Sequence, residues 1–358
     1  MTRYLVLFAV LASLSACVEG TNPFDIVSDT GTEDTDTTDD ATTDDDTTTT
    51  GDTTGDVEEP ITSDTVLLPG TVNPSANDSI VRRESTGDEN GNGYAESVSY
   101  DADTDTFTVD NLAFDGEGPY TAVRDGAGNR FGIGPFSVFE SPATAVDGLT
   151  SADISQLSYR ALYGIAPDGN SSIAIIRTGA YIQYGFGGYI FQRDGGVTLP
   201  TSGQALYTGQ DNYGGLRDFE GQGGLEYVNG DMEVRIDFND FNEGSGVIGV
   251  VSNRRVYDLN GVDVTNDILN AFDAGTTELP VARFIIEPGV INSNGEIAGK
   301  IQSDHPSSGD ALEEGNYYAV LSGDNANTVT GIVVMTASDP RAANVTVRET
   351  AGFFAVRQ

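Results

Sequence analysis

The sequence predicts an all-β protein: a soluble antiparallel β-barrel in the C-terminal half, a smaller β-rich domain before it, and a disordered acidic tether before both. Three observations lead there. Helix formers are scarce, with 3 Met and Lys300 as the sole lysine, whereas 44 Gly, 15 Tyr and 16 Phe suit short strands joined by turns. Stretches of alternating apolar and polar residues recur between Gly, Asn and Asp clusters. The first sixty-odd residues contain an apolar leader and a Thr/Asp tract without any such alternation.

The leader comes first in the chain. Met1 to Arg3 supply a small positive charge, Tyr4 to Leu14 an apolar run, and Leu14-Ser15-Ala16-Cys17 closes it. A bilayer-spanning helix needs about 20 apolar residues, so this run reads as a signal peptide over residues 1–16. Leu-Ser-Ala-Cys matches the bacterial lipobox, in which the chain is cut between Ala16 and Cys17. Diacylglycerol is added to the Cys17 thiol, and the new amino group is then acylated, palmitate being the usual chain. At roughly 0.8 kcal/mol per buried CH₂, several chains anchor firmly where one would not. Val18 rather than Asp follows the cysteine, which favours the outer membrane over inner-membrane retention.

Residues 17–64 form the lipidated cysteine and its linker. After Arg3 the next basic residue is Arg82, and the stretch from Asp29 to Asp56 is almost pure Thr, Asp and Gly. Nothing apolar is available there to offset ordering entropy, so the segment is expected to be disordered. Fully extended it reaches on the order of 140 Å; a neutral coil of its length averages about 35 Å, and self-repulsion places it between the two. It reads as a spacer. As a calcium-collecting strip it lacks the rigid oxygen cage that affinity requires.

The formal charge of −39 excludes nucleic acid, for which no basic stripe exists. It also excludes electrostatic docking on anionic headgroups. It favours solubility, with metal ions or basic protein surfaces as possible counter-charges. One cysteine leaves no internal disulfide, so the body relies on its apolar core.

In residues 65–198 the alternation predicts strands at Tyr94–Tyr100, Thr104–Asp110, Phe131–Phe139, Leu157–Ile165, Ser172–Thr178 and Tyr181–Gln192, with a strong turn at Ala166–Asn170. Ser151–Gln156 suggests a helical turn. Asp88, Asn90 and Asn92, followed by Gly93, have the oxygen spacing that opens an EF-hand loop. Ser99 stands where a bidentate Glu would close it, so a calcium site and a plain Asn-Gly turn both stay open. Among its glycines, the aromatic series Tyr181, Tyr184, Phe186, Tyr189 and Phe191 reads as a buried strand approached closely by another backbone, or as an exposed patch for a partner.

In residues 199–358 the clearest strand is Asp231–Phe238. Met232, Val234, Ile236 and Phe238 share one face; Asp231, Glu233, Arg235 and Asp237 share the other, which must meet water. A lipid-facing barrel would carry an apolar band there instead, so this is not a pore. Further strands are expected at Gln204–Thr208, Gly223–Val228, Gly246–Val251, Val281–Ile286, Glu296–Gln302, Asn316–Leu321, Val329–Ala337 and Val345–Val356, with a short helix or loop at Val262–Phe272. Even spacing of eight or nine antiparallel strands suggests closure, which removes exposed edges.

Leu199-Pro-Thr-Ser-Gly-Gln-Ala-Leu-Tyr207-Thr-Gly209, then Val234–Phe238 with Gly246–Gly249, then Gly315-Asn-Tyr-Tyr318, Thr330-Gly331-Ile332 and Glu349–Arg357 resemble successive strands of the transferrin-binding protein B-like surface lipoproteins. The resemblance covers residues 199–358. It implies an eight-stranded barrel preceded by a smaller handle-like domain, lipid-anchored, served by lipoprotein export and surface-display machinery, and often displayed on the cell surface. Members capture host transferrin, haem carriers or complement regulators. A binding module for a macromolecular or nutrient ligand, with an iron carrier as one option, is therefore expected. The other reading is a periplasm-facing structural or accessory envelope lipoprotein.

No enzyme is expected. His305, the sole histidine, lies in the turn-like Asp304-His305-Pro306; no Gly-x-Ser-x-Gly elbow accompanies it, and no soft-ligand metal cluster can be built from one His and a lipidated Cys. No catalytic residue, resident metal or cofactor is assigned beyond the calcium option, and the ligand-binding residues are not legible.

Overall fold

Short alternating segments punctuated by Gly, Asn and Asp give an almost entirely β architecture. The computed structural model describes residues 67–85, 95–116, 118–180, 184–239, 246–272, 275–287 and 290–358. In chain order the strands are β1 Ile80–Arg83, β2 Val98–Asp101, β3 Thr106–Val109, β4 Tyr120–Ala122, β5 Gly132–Ile133, β6 Phe136–Glu140, β7 Thr144–Val146, β8 Asp153–Ser155, β9 Tyr159–Ile165, β10 Ser171–Thr178 and β11 Gly187–Arg193. There follow β12 Gln204–Thr208, β13 Tyr213–Glu220, β14 Leu225–Asp237, β15 Val247–Tyr257, helix α1 Thr265–Ala271, β16 Ala282–Phe284, β17 Glu296–Asp304, β18 Ala311–Ser322, β19 Thr328–Ser338 and β20 Thr346–Arg357.

The first sheet is open and runs β1-β11-β10-β9-β6-β4-β3-β2, with β5 folded onto β6. The second closes. Strands β13 to β20 pair in sequence order and β20 returns to β13, which makes an eight-stranded antiparallel barrel. β12 bonds to both β14 and β20 and so continues the line of β13 beyond a break. Asn212 fills that break. Its amide donates to the carbonyls of Met232 and Phe354 at 3.0 Å each, and its Oδ1 accepts from the Met232 N–H at 2.7 Å. Backbone groups on both neighbouring strands that the broken strand would have satisfied are thus paired by one side chain.

Strand alternation sorts the core. Tyr207, Tyr213, Met232, Val234, Ile236, Phe284, Tyr317 and Phe353 point into the barrel and fill it. Leu216, Tyr227, Val320, Ile332 and Phe354 point outward and pack against Ile133, Phe136, Leu162, Ile173, Ile175 and Phe191 of the first sheet. On that sheet's other face lie Phe107, Tyr120, Phe139, Tyr159, Ala174 and Ile176. Successive residues of β10 therefore serve two cores, which is why the whole strand is buried. The two sheets fall within one compact unit, the first ending at Arg193 and the second beginning at Gln204.

Several expectations are corrected. Ser151–Gln156 is not helical: Asp153–Ser155 pairs with Thr144–Val146, and the Asp147 carboxylate closes the connecting turn by accepting the N–H groups of Leu149 and Thr150 at 2.7 and 2.9 Å. Phe131–Phe139 is not one strand but a hairpin turned at Gly134-Pro135, where Gly134 has φ +53. A Cβ at Gly134 would sit 2.5 Å from the Tyr213 carbonyl oxygen, so the turn also needs glycine to touch the barrel. Gly223–Val228 and Asp231–Phe238 are one strand, β14, which runs straight through Asn229-Gly230. Leu157–Ile165 begins at Tyr159, and β13 lies where no strand was expected. The Val262–Phe272 segment does contain a helix, and the apolar and charged faces of Asp231–Phe238 are as expected, with the apolar set buried in the barrel.

Candidate functional site

The barrel is packed through its middle, so ligand access is from its outside and its ends. Between the first sheet and the barrel's outer wall lies a cleft of about 470 Å³. Leu67, Leu68, Pro69, Glu84 and Tyr189 line one side, and Glu314, Asn316, Tyr318, Val334, Thr336 and Arg348 the other. Alternation explains the second group: Glu313, Gly315 and Tyr317 turn into the barrel, leaving Glu314, Asn316 and Tyr318 outside.

Two of the lining residues, Glu84 and Arg348, belong to charged pairs that continue beneath the cleft. Arg177 at the end of β10 has no exposed surface. It donates to both carboxylate oxygens of Glu84 at 2.7 and 3.2 Å and to the Thr350 hydroxyl of the barrel at 2.9 Å. Burial pushes its pKa down, but Glu84 and Asp218 more than offset this and leave it above its usual value. Beside it Arg348 donates to both oxygens of Asp218 at 2.6 and 3.1 Å and lies 4.4 Å from the Tyr184 ring centroid, close enough for a cation–π contact. Arg82 bonds Glu296 at 2.6 Å, and Arg193 donates to the carbonyls of Asn294 and Leu321 at 2.8 and 2.9 Å. Three arginines of the first sheet's strands thus reach the barrel, so the cleft's two walls are held in register rather than merely adjacent.

A second polar cluster closes one end of the barrel interior. On β15 the alternation slips at Asn253, whose φ is +54: residues 247, 249 and 251 point inward before it, 254 and 256 after it. This bulge turns Arg254 inward. Arg254 bonds Glu313 through both terminal nitrogens and lies 3.3 Å from Glu349, which accepts from the Tyr213 hydroxyl at 2.6 Å. Arg217 joins Glu349 to Glu226, and Arg341 caps Glu226 at 2.7 Å. The charges alternate, and Ile268 and Phe272 at α1 with Leu279, Pro280 and Val347 line a small pocket beside Arg217, Arg254, Glu313 and Glu349. Burial pushes the Glu313 carboxyl up, yet Arg254 and the Ser303 hydroxyl hold it below its ordinary 4.5. Each guanidinium here faces a carboxylate, although the buried Nε atoms of Arg217 and Arg254 have no hydrogen-bond partner among the described residues.

Cys17, Ala16, Asp88, Asn90 and Asn92 lie outside the described residues. Among the described residues there is no group of three His, Cys, Asp or Glu arranged to hold a metal, and no helix long and apolar enough to cross a membrane. His305 sits in its turn, with Nδ1 accepting from the Ser307 N–H at 3.3 Å and its ring edge-on to Phe272. In the aromatic series the strand begins at Gly187, and Tyr189 and Phe191 are 3% and 2% exposed. A Cβ at Gly187 would meet the Ile176 carbonyl oxygen at 2.1 Å, so the closely approached, buried strand holds from Gly187 onward; Tyr181 lies outside the described residues. The cleft was not legible beforehand, since its walls come from five separate stretches, at residues 67–85, 189, 314–318, 334–336 and 348. The one signal was Arg177 ending an otherwise apolar run, a cation that must find a buried partner.

The arrangement is similar to solved structures of transferrin binding protein B. A variant from Haemophilus parasuis aligns at 11% identity over 78% of this chain and 45% of that one, with a TM-score of 0.37. The protein from serogroup B Neisseria meningitidis aligns at 12% identity over 80% and 44%, with a TM-score of 0.33. A further structure, of a surface lipoprotein, aligns at 12% identity over 53% and 76%, with a TM-score of 0.28. The chain thus spans under half the length of the two transferrin-binding structures. No protein-family model and no curated protein matches it.

Proposed function

We propose that this chain is an outer-membrane lipoprotein, anchored through Cys17 and displayed at the cell surface on its Thr/Asp spacer, that binds a macromolecular or nutrient ligand and performs no catalysis. The observation that carries the reading is the pairing of a filled barrel with a second sheet clamped to its outer wall, behind a lipobox and a long acidic spacer. A barrel filled by Tyr, Phe and Met side chains has no lumen for cargo, so recognition falls to the surfaces that the two sheets present together. Transferrin is the ligand named for the structural neighbours, which makes an iron-carrier protein the first ligand class to try; the reading does not depend on it.

Protease shaving of intact cells tests the reading, with a periplasmic protein blotted as control. Loss of the body while the control survives is the expected outcome. Protection until the outer membrane is broken would turn the proposal to the alternative, a periplasm-facing structural or accessory envelope lipoprotein.

A further inference from the structure

The hairpin β7–β8 is set apart from both sheets. It pairs only with itself, through Thr144↔Ser155, Ala145↔Ile154 and Val146↔Asp153. A two-stranded ribbon gains little stability alone and normally packs an apolar face on a core. This one does neither: Val146 is 69%, Leu149 97% and Ile154 45% exposed. Register puts Val146 and Ile154 on opposite faces of the ribbon, with Leu149 at its tip, so apolar groups meet water on every side. The tip is nonetheless preformed. Asp147 accepts from the N–H groups of Leu149 and Thr150, and Asp147 N–H donates to the Ala152 carbonyl at 2.8 Å.

A second exposed apolar group stands near its base. Phe114 has φ +56, a conformation bulky side chains rarely adopt, and its side chain is 66% exposed. Its carbonyl accepts from the Leu157 N–H at 2.9 Å, two residues past β8, which ties the Phe114 loop to the hairpin. Strain of this kind persists where surrounding contacts impose it; here the result is an aromatic ring held in solvent beside the ribbon.

The surrounding charge selects the occupant. Residues 141–159 and 110–123 contain no Lys or Arg, and of their aspartates Asp110 and Asp153 are exposed and Asp147 is half-buried, while Asp115 is buried against Tyr120. An anionic bilayer surface would repel such a ribbon, and so would a second copy of a chain bearing −39. Resting on the reading of the chain as a binding module, we infer that β7–β8 and Phe114 form a docking element that inserts into an apolar groove of a protein partner with a basic rim. The apolar tip supplies the buried contact, and Asp110, Asp147 and Asp153 supply orientation and encounter rate.

The test places a benzophenone amino acid at position 149 in the full-length, membrane-anchored chain, with matched probes at Asn316 in the cleft and at exposed Val262 on the barrel. After irradiation of cells in their growth medium, a single basic protein is expected on the 149 probe and not on the 262 probe. With that protein purified, Leu149→Asp is expected to weaken its binding at least tenfold with an unchanged melting temperature, and wild-type affinity is expected to fall as salt rises. Crosslinking at 316 or 262 but not at 149 would overturn the docking element and leave the binding reading standing. Crosslinks from 149 only to phospholipid, to a second copy or to an acidic protein would also overturn it. Crosslinks at none of the three positions would count against both.

Discussion

The two sheets are built from the same chemistry, yet one closes and the other stays open. In the barrel β14, β15, β18, β19 and β20 have 11 to 13 residues. In the first sheet no strand exceeds 8 residues, and β4 and β5 have 3 and 2. A closed sheet needs strands long enough to tilt and stagger around the axis. The barrel tolerates one short strand, β16, because β15 and β17 flank it, whereas the first sheet is short throughout and buries its surplus apolar face on the outside of its neighbour instead. The same contrast governs charge. The barrel turns arginines and carboxylates inward against each other, whereas the first sheet sends Arg82, Arg177 and Arg193 across to the barrel. The barrel's interior charges are met within it, whereas several of the first sheet's are met across the seam.

The largest effect is expected inside the barrel. Arg254→Ala leaves Glu313 and Glu349 buried without their shared cation, and loss of about 4–5 kcal/mol is expected in guanidinium unfolding. Next comes the seam between the sheets. Phe354 packs on Phe136 with ring centroids 5.5 Å apart, and Phe354→Ala is expected to cost about 3 kcal/mol. If the first sheet depends on the barrel, that variant unfolds in two steps, the sheet first; a single sharp transition would break the asymmetry drawn above.

Acid sharpens the same point. Glu313 is held below 4.5 in the folded chain, so its contribution is complete above pH 4.5 and is lost as pH falls through the depressed folded value. Glu313→Gln should therefore be less stable at neutral pH yet show a flatter loss of stability below pH 4.5 than the parent chain. The smallest effect belongs to an exposed pair: Lys300 lies 3.4 Å from Glu287 with its side chain 63% exposed, and Lys300→Ala should change stability by less than about 0.5 kcal/mol.

Much of the barrel was legible because period-two alternation survives in long strands, as in Asp231–Phe238. The misreadings share a cause. Asn229-Gly230 looks like a turn, but neighbours on both sides hold it in β14; the slip in alternation lies instead at Asn253, on the opposing strand. β13 was hidden because Gly214 and Gly215 replace side chains where backbones pass closely: a Cβ at Gly215 would meet the Thr350 carbonyl oxygen at 2.4 Å. Ser151–Gln156 misled because the Asx turn at Asp147 imitates a helix start.

By itself, the sequence determined the all-β class, the acidic surface, the leader-and-spacer pattern and which side chains of each long strand share a face. These follow from composition and from local period, which one chain segment carries alone. Tertiary structure decided closure, the seam between the sheets and the cleft. Each depends on which distant strands meet: Arg177 finds Glu84 and Thr350, and Arg254 finds Glu313 and Glu349. A buried charge announces that it must have a partner, but only the folded chain supplies one.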